Sequence, residues 1–368
     1  MIDKFGRKIT YLRVSVTDRC NFRCVYCMPE AGIAWKPHSE ILTYEEITRI
    51  TRVAVGLGVK AVRITGGEPL VRRGIVGLAA GLAKLKDIGL EDLSMTTNGS
   101  LLAPLARSLR EAGLDRVNIS LDTLDAGRFK AITKKGLVGG TLAGIGAALA
   151  AGLMPVKVNV VLARTVNLAE VCDFAYLACR LPLQVRFIEL MPLGSAAMLE
   201  EPEFVAGNEV TRLLAGAGEL APRAPGERGA GPARYYAWAP GAAYRPAANV
   251  LAALDVVERA AAAGQAGGQA GGATTAGGTW QSGGSIGLIT ALSNHFCLSC
   301  NRLRLTSDGE ISPCLWSDRE TDIKKALRSG ATDEELGQII CAAVLAKPSS
   351  HGAVGNAAEK RRMSRLGG

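Results

Sequence analysis

Six cysteines in two short clusters are the residues of this chain best suited to chemistry. Cys20, Cys24 and Cys27 stand in Cys-Asn-Phe-Arg-Cys-Val-Tyr-Cys, a C-x3-C-x2-C spacing with an aromatic just before the last thiol. Cys297 and Cys300 form a C-x2-C pair, followed after thirteen residues by Cys314. Three thiols on one loop can converge on one metal site but leave it a ligand short. A four-iron cluster normally takes four thiolates, so either triplet would leave one iron open to a further ligand. Zinc is the alternative for both, since it commonly uses C-x2-C pairs and closes its shell with a fourth donor. His38 would be the nearest such donor for the first triplet, and His295 for the second.

Arginines lie beside these clusters. Arg302 and Arg304 follow Cys300 at a two-residue spacing, which in an extended segment puts both on one face. The net charge of +9 over 368 residues asks for an anionic partner. Nucleic acid is the generic answer for a basic protein, but no run of Lys/Arg interleaved with aromatics occurs. Single arginines beside motifs suit a small polyanion better, because planar guanidinium forks bind its oxygens in pairs. The other three cysteines, Cys172, Cys179 and Cys341, fall in helical patterns and read as small buried hydrophobes. Free thiols imply a reducing compartment, and the N-terminal residues lack the apolar core of an export signal. An apolar stretch at 136–156 approaches the ~20 residues of a membrane span. Its glycines and Pro155 make it a buried helix running into a strand.

Positioning these residues falls to an alternating chain. Short β-rich runs at 11–16, 60–65, 93–97, 115–120, 156–161 and 184–190 are separated by helical patterns. Thr43 with Glu46, Asn167, and Thr332 with Glu335 carry helix-start signals. Six consecutive βα units predict an α/β fold, a partial (β/α)6 TIM-like barrel with a parallel sheet and an open side. The glycine-rich and polar motifs fall at strand C-termini, the chemical end of such barrels. Residues 1–214 form this barrel. Residues 215–284 turn rich in Gly, Ala and Pro and predict a flexible insertion, with one exposed helix at 249–263. Residues 285–368 carry the second triplet and are expected to form a C-terminal module that covers the open side.

The motifs in order are FGR-x-ITYLR-x-SVTDRCNFRC-x-YCMP, R-x-TGGEPL-x-R, TTNG, SLD, FIELMPLG, LSNHFC-x-x-CNRLRLT-x-DG and a terminal Gly-Gly. The first triplet resembles the signature of radical S-adenosylmethionine (SAM) enzymes. The whole series resembles one branch of them, the GTP 3′,8-cyclases, which open molybdenum cofactor biosynthesis. The resemblance covers all but the insertion. It implies two [4Fe-4S] clusters, one on Cys20, Cys24 and Cys27, the other on Cys297, Cys300 and Cys314. It implies SAM held by Tyr26, Gly67, Ser120 and Met191, and GTP held by Arg13, Arg63, Thr96, Lys157, Arg302 and Arg304. A 5′-deoxyadenosyl radical would take the ribose 3′ hydrogen of GTP, and the carbon radical would attack C8 of the guanine. Arg13, Arg302, Arg304, Gly367 and Gly368 would serve catalysis, the glycine tail reaching into the site. The same resemblance implies an external electron donor, a homodimer, and cyclic pyranopterin monophosphate synthase as receiver of the product. It places the protein in the cytoplasm, or in the mitochondrial matrix of a eukaryote, without nucleic-acid or membrane partners.

Two departures stand out. Ala61 occupies a position where some members carry lysine, and Lys60 beside it is out of phase along the strand. The insertion is the other. The nearest rival is a radical SAM peptide-modifying enzyme with an auxiliary cluster, which would not need the Arg302/Arg304 pair or the glycine tail. A zinc-stapled, basic nucleic-acid-binding protein is the non-enzymatic alternative.

Overall fold

The structure, a computed structural model, describes residues 1–29, 31–32, 34–193, 203–224, 231–265, 283–317 and 319–351. Six strand-helix units follow one another. They are β1 (Tyr11–Ser15) with α1 (Tyr44–Gly56), β2 (Ala61–Thr65) with α2 (Ile75–Ala83), and β3 (Asp92–Thr97) with α3 (Ala106–Glu111). Then come β4 (Arg116–Ser120) with α4 (Ala126–Thr133) and α5 (Val138–Ala150), and β5 (Val156–Leu162) with α6 (Arg164–Asn167) and α7 (Val171–Arg180). The sixth is β6 (Leu183–Glu189) with α8 (Gly207–Ala217). The strands pair in parallel, each with the next in sequence.

Strand alternation sorts the side chains. Leu12, Val14, Val62, Ile64, Leu93, Met95, Val117, Ile119, Val158, Val160, Val185 and Phe187 are all buried on the face that meets the helices. Tyr11, Arg13, Arg63, Asn118, Lys157 and Arg186 share the opposite face, because they fall in one register across the sheet. Parallel strands usually bury apolar residues on both faces. A polar inner face is therefore the candidate ligand-binding surface of this sheet.

The remaining strands extend both edges. After α8 come β7 (Gly218–Arg223), β8 (Arg234–Pro240), α9 (Ala248–Gln265) and β9 (Ser285–Ile289), and β9 lies parallel to β6. β10 (Arg302–Leu305) lies parallel to β1, with β11 (Glu310–Ser312) and β12 (Thr321–Asp322) antiparallel beyond it. α10 (Ile323–Arg328) and α11 (Asp333–Leu345) follow. The order β12-β11-β10-β1-β2-β3-β4-β5-β6-β9-β8-β7 is linear, so backbone hydrogen bonds leave the barrel open. Loop 290–301 then runs from β9 at one edge of the six central strands to β10 at the other, across the open side.

Local signals hold at both capping boxes, where Thr43 and Glu46, and Thr332 and Glu335, exchange side-chain and backbone hydrogen bonds. The apolar run at 136–156 is α5 leading into β5, and among the described residues no helix is long and apolar enough to cross a membrane. Asn167 differs. It caps no helix; its amide donates to the Asp122 and Val161 carbonyls at 2.7 and 2.8 Å, and it accepts from Ala163 N–H at 3.0 Å. Cys172, Cys179 and Cys341 are half-buried rather than buried.

The largest departure is in 215–284. β8 joins β7 to β9, so both strands are part of the sheet. α9 buries Val250, Ala253, Leu254, Val257 and Ala261, and its partner is α5. Trp238 Nε1 donates to the Leu214 carbonyl at 2.9 Å, and Tyr244 Oη donates to Asp173 at 2.7 Å. The expected flexible insertion and exposed helix are thus corrected wherever this segment is described. The Gly/Ala repeat that prompted them lies mostly at 266–282, outside the described residues.

Candidate active site

Cys20, Cys24 and Cys27 sit on the loop that leaves β1, and the end of α4 and the turns after β3 and β4 fix that loop. Arg23 N–H and Val25 N–H donate to the Thr133 and Ile132 carbonyls at the end of α4, at 2.9 and 3.1 Å. Asn21 donates to Ser100 Oγ at 2.9 Å and accepts from Asn98 at 2.8 Å, so the TTNG turn holds it. Tyr26 Oη donates to Asp122 of the SLD motif. Phe22 packs edge-on against Phe129, ring centres 5.8 Å apart. Burial pushes Cys20 up to about 11 and Cys27 up to about 12, and raises Cys24 well above the usual thiol range. Such thiols ionise only when a metal supplies the compensating charge, which suits them to a cluster.

The GGEP turn closes one wall. Gly67 N–H donates to the Thr17 carbonyl at 2.7 Å, and a Cβ on Gly67 would stand 2.4 Å from the Arg19 carbonyl oxygen. Only glycine lets the turn pack against the cysteine loop. Glu68 is spent on structure. Its carboxylate accepts from Leu70 N–H at 3.0 Å, Asn98 N–H at 2.6 Å and Thr97 Oγ1 at 2.7 Å, and burial raises it to about 7. Ser120 and Met191 stand at and just past the ends of β4 and β6, both half-buried.

The inner face below is strongly basic. Arg13 lies in register with Arg63 on one side and Arg304 on the other, and Tyr11 with Arg302. Burial, then Arg304 and Arg63, drives Arg13 well below the usual guanidinium range. Burial is also the main cause that brings Arg63 to about 9, Arg186 to about 10 and Lys157 to about 6. Asn118, with its carbonyl oxygen turned toward them, accepts from Arg63 at 2.6 Å and Arg186 at 3.0 Å. Asp92 pairs with Arg116 at 2.6 Å. The Tyr11 and Thr96 hydroxyls are buried on this face without a hydrogen-bond partner among the described residues. Crowded, desolvated cations with orphaned hydroxyls beside them make a site for a multiply charged anion. Ala61 lies on this face, while Lys60 points outward to Glu91 at 3.2 Å.

Cys297 and Cys300 lie on the crossing loop, and Cys314 just after β11. Glu189 at the end of β6 ties that loop to the barrel. It accepts from Leu292 and Ser293 N–H, both at 2.9 Å, from Gly207 N–H at 3.0 Å and from Ser293 Oγ. A tetrahedral zinc with Zn–S of about 2.3 Å would draw its ligands to about 3.7 Å from one another. Among the described residues, the one group of three whose ligand atoms all lie within 4.8 Å is His295, Cys297 and His351. Neither cysteine triplet is drawn in to single-ion spacing. His295 does approach Cys297, but with His351 rather than with the other two thiols.

The Radical SAM superfamily profile matches residues 14–178, and that of Molybdenum Cofactor Synthesis C matches residues 252–353. A GTP 3′,8-cyclase of Heliobacterium modesticaldum is 45% identical over the full length of both chains. One of Moorella thermoacetica is also 45% identical, and one of Pelotomaculum thermopropionicum 42%, both again over full length. The chain belongs to the GTP 3′,8-cyclase family. Among solved structures, Streptococcus suis SuiB bound to S-adenosylmethionine aligns at TM-score 0.47 and 16% identity, covering 90% of this chain and 68% of that one.

For a GTP 3′,8-cyclase, the fold brings Arg13, Arg63, Lys157, Arg302 and Arg304 to one face, with Thr96 beside them. Gly367 and Gly368 lie outside the described residues. Arg116 and Arg186 belong to the same basic layer and were not singled out from sequence. Their signal was the period-two polar pattern Arg116/Asn118/Ser120, Lys157/Asn159 and Gln184/Arg186, which places them inward with the others.

Proposed function

We propose that this chain converts GTP to (8S)-3′,8-cyclo-7,8-dihydroguanosine 5′-triphosphate, the first step of molybdenum cofactor biosynthesis. The observation that carries the reading is a buried basic face beside two cysteine triplets, in a chain with full-length GTP 3′,8-cyclase relatives. Cys20, Cys24 and Cys27 are assigned to the first [4Fe-4S] cluster, which with SAM supplies one-electron chemistry and a 5′-deoxyadenosyl radical. Cys297, Cys300 and Cys314 are assigned to a second cluster. Tyr26, Gly67, Ser120 and Met191 would line the SAM site. Arg13, Arg63, Lys157, Arg302 and Arg304 would hold the triphosphate, and Thr96 a further polar group of GTP.

The chain's own contribution is orientation and exclusion of water. Guanidinium groups fixed by register on adjacent strands present preset donors to the triphosphate and so hold the ribose still. Residues 290–301 cross the open side and shield the reacting carbon. We assign 1–214 to the barrel and 285–368 to the cover, with a glycine tail, Gly367 and Gly368, reaching the site. The reading includes a reducing cytoplasm, an external electron donor, a homodimer, and hand-over of product to cyclic pyranopterin monophosphate synthase.

Arg13→Ala and Arg304→Ala test it. Each removes a charge-assisted contact worth about 1.5–3 kcal/mol, so GTP affinity should fall by roughly 10–100-fold while SAM affinity holds. Undiminished GTP binding in both variants would remove the triphosphate from this wall.

A further inference from the structure

We propose that Lys347 is a positioning residue of the second cysteine triplet, joining the segments that carry Cys300 and Cys314 and fixing a positive charge between them. The inference rests on the reading of that triplet as a cluster site.

Lys347 follows α11 and is 2% exposed, among the largest fully buried side chains of the protein. A buried lysine needs partners for its donors. Nζ donates to the Arg302 carbonyl at 2.8 Å and to the Pro313 carbonyl at 2.6 Å. Arg302 lies two residues after Cys300, and Pro313 immediately precedes Cys314. One ammonium thus bridges the two ligand-bearing segments.

The surroundings keep it there. Arg7, held by Asp3 at 2.6 Å, donates to the Cys297 carbonyl at 2.9 Å and to the Ser349 carbonyl at 3.0 Å, so 347–349 is clamped to the cysteine loop. His351 Nδ1 lies 3.4 Å from Cys297 Sγ, and its ring stacks on Trp316 with centres 5.1 Å apart. A positive charge beside cluster sulfurs favours the form carrying the extra electron and so raises the reduction potential.

The test uses reconstituted holoenzymes of the wild type, Lys347→Gln and Lys347→Met. Iron and sulfide are counted, and redox titrations follow two paramagnetic signals, one that responds to GTP and one that responds to SAM. Glutamine keeps N–H donors for the two carbonyls without the charge; methionine keeps neither. Both variants should move the GTP-responsive signal to a more negative potential and leave the SAM-responsive one in place. K347M should also lose iron to a chelator several-fold faster than K347Q. An unshifted potential in a fully loaded K347Q protein overturns the proposal. So does loss of the second cluster from both variants, since Lys347 would then be a strut and nothing more. A wild type that takes up iron for one cluster only would instead defeat the cluster reading beneath it.

Discussion

Lys157 is 1% exposed on the inner face, and Arg186, Arg116 and Arg63 are its charged neighbours. Burial, reinforced by those like charges, lowers it from 10.5 to about 6. Between those values the folded, ligand-free protein binds fewer protons than the unfolded chain, so this group makes stability rise with pH across that window. A bound triphosphate reverses the local field and returns the proton. Calorimetry of GTP binding at about pH 7.5, in buffers of different ionisation enthalpy, should therefore show net proton uptake, abolished in Lys157→Met. Binding without uptake in the wild type would contradict a neutral Lys157. At this scale the shared face of Arg302 and Arg304 was legible, because strand period is a local property. Arg186 was not, because its neighbours Asn118 and Asn159 belong to other strands. Gly67 was singled out as a ligand approach, and the fold adds a second cause, the Arg19 carbonyl.

Elements built from small residues are where composition misleads. α9 reads ANVLAALDVVERAAAAGQ within a Gly/Ala/Pro-rich segment that suggests linker by content alone, and it seats on α5, VGGTLAGIGAALA. Side chains this small let two helices approach closely. A Cβ on Gly146 would stand 2.4 Å from the Val257 carbonyl and 2.7 Å from the Ala260 methyl, whereas one on Gly139 would meet nothing within 4 Å. Gly146→Leu should therefore cost about 1–3 kcal/mol through overpacking, and Gly139→Ala should be neutral or stabilising by up to about 1 kcal/mol. Thermal or urea unfolding of the pair checks this, and equal effects would mean that α9 is not seated on α5. The capping boxes at Thr43 and Thr332 were legible because they lie within one turn. The same logic failed at Asn167, whose partners are the Asp122 carbonyl just past β4 and the Val161 carbonyl of β5.

Across the whole molecule, six βα units and an open side follow from the alternating pattern, but the manner of covering does not. β10 finds β1 across almost the full length of the chain, and β9 finds β6 past an intervening meander. Such pairings leave no local trace. Glu189 is the chief tie between the barrel and the crossing loop, satisfying three backbone N–H groups with one buried carboxylate. Glu189→Ala should leave SAM binding intact, weaken GTP binding and admit protease within 290–301. An unaltered digestion pattern would show that the loop is held by other contacts.

Hydrogen abstraction from GTP at this basic face is the step that defines the proposed activity. We would incubate the reduced, anaerobic holoenzyme with SAM and GTP deuterated at C3′, then with each other nucleoside triphosphate, and weigh the 5′-deoxyadenosine released. Deuterium appearing in 5′-deoxyadenosine with GTP alone is the predicted result. Slow release indifferent to nucleotide, with no deuterium transferred, would contradict it.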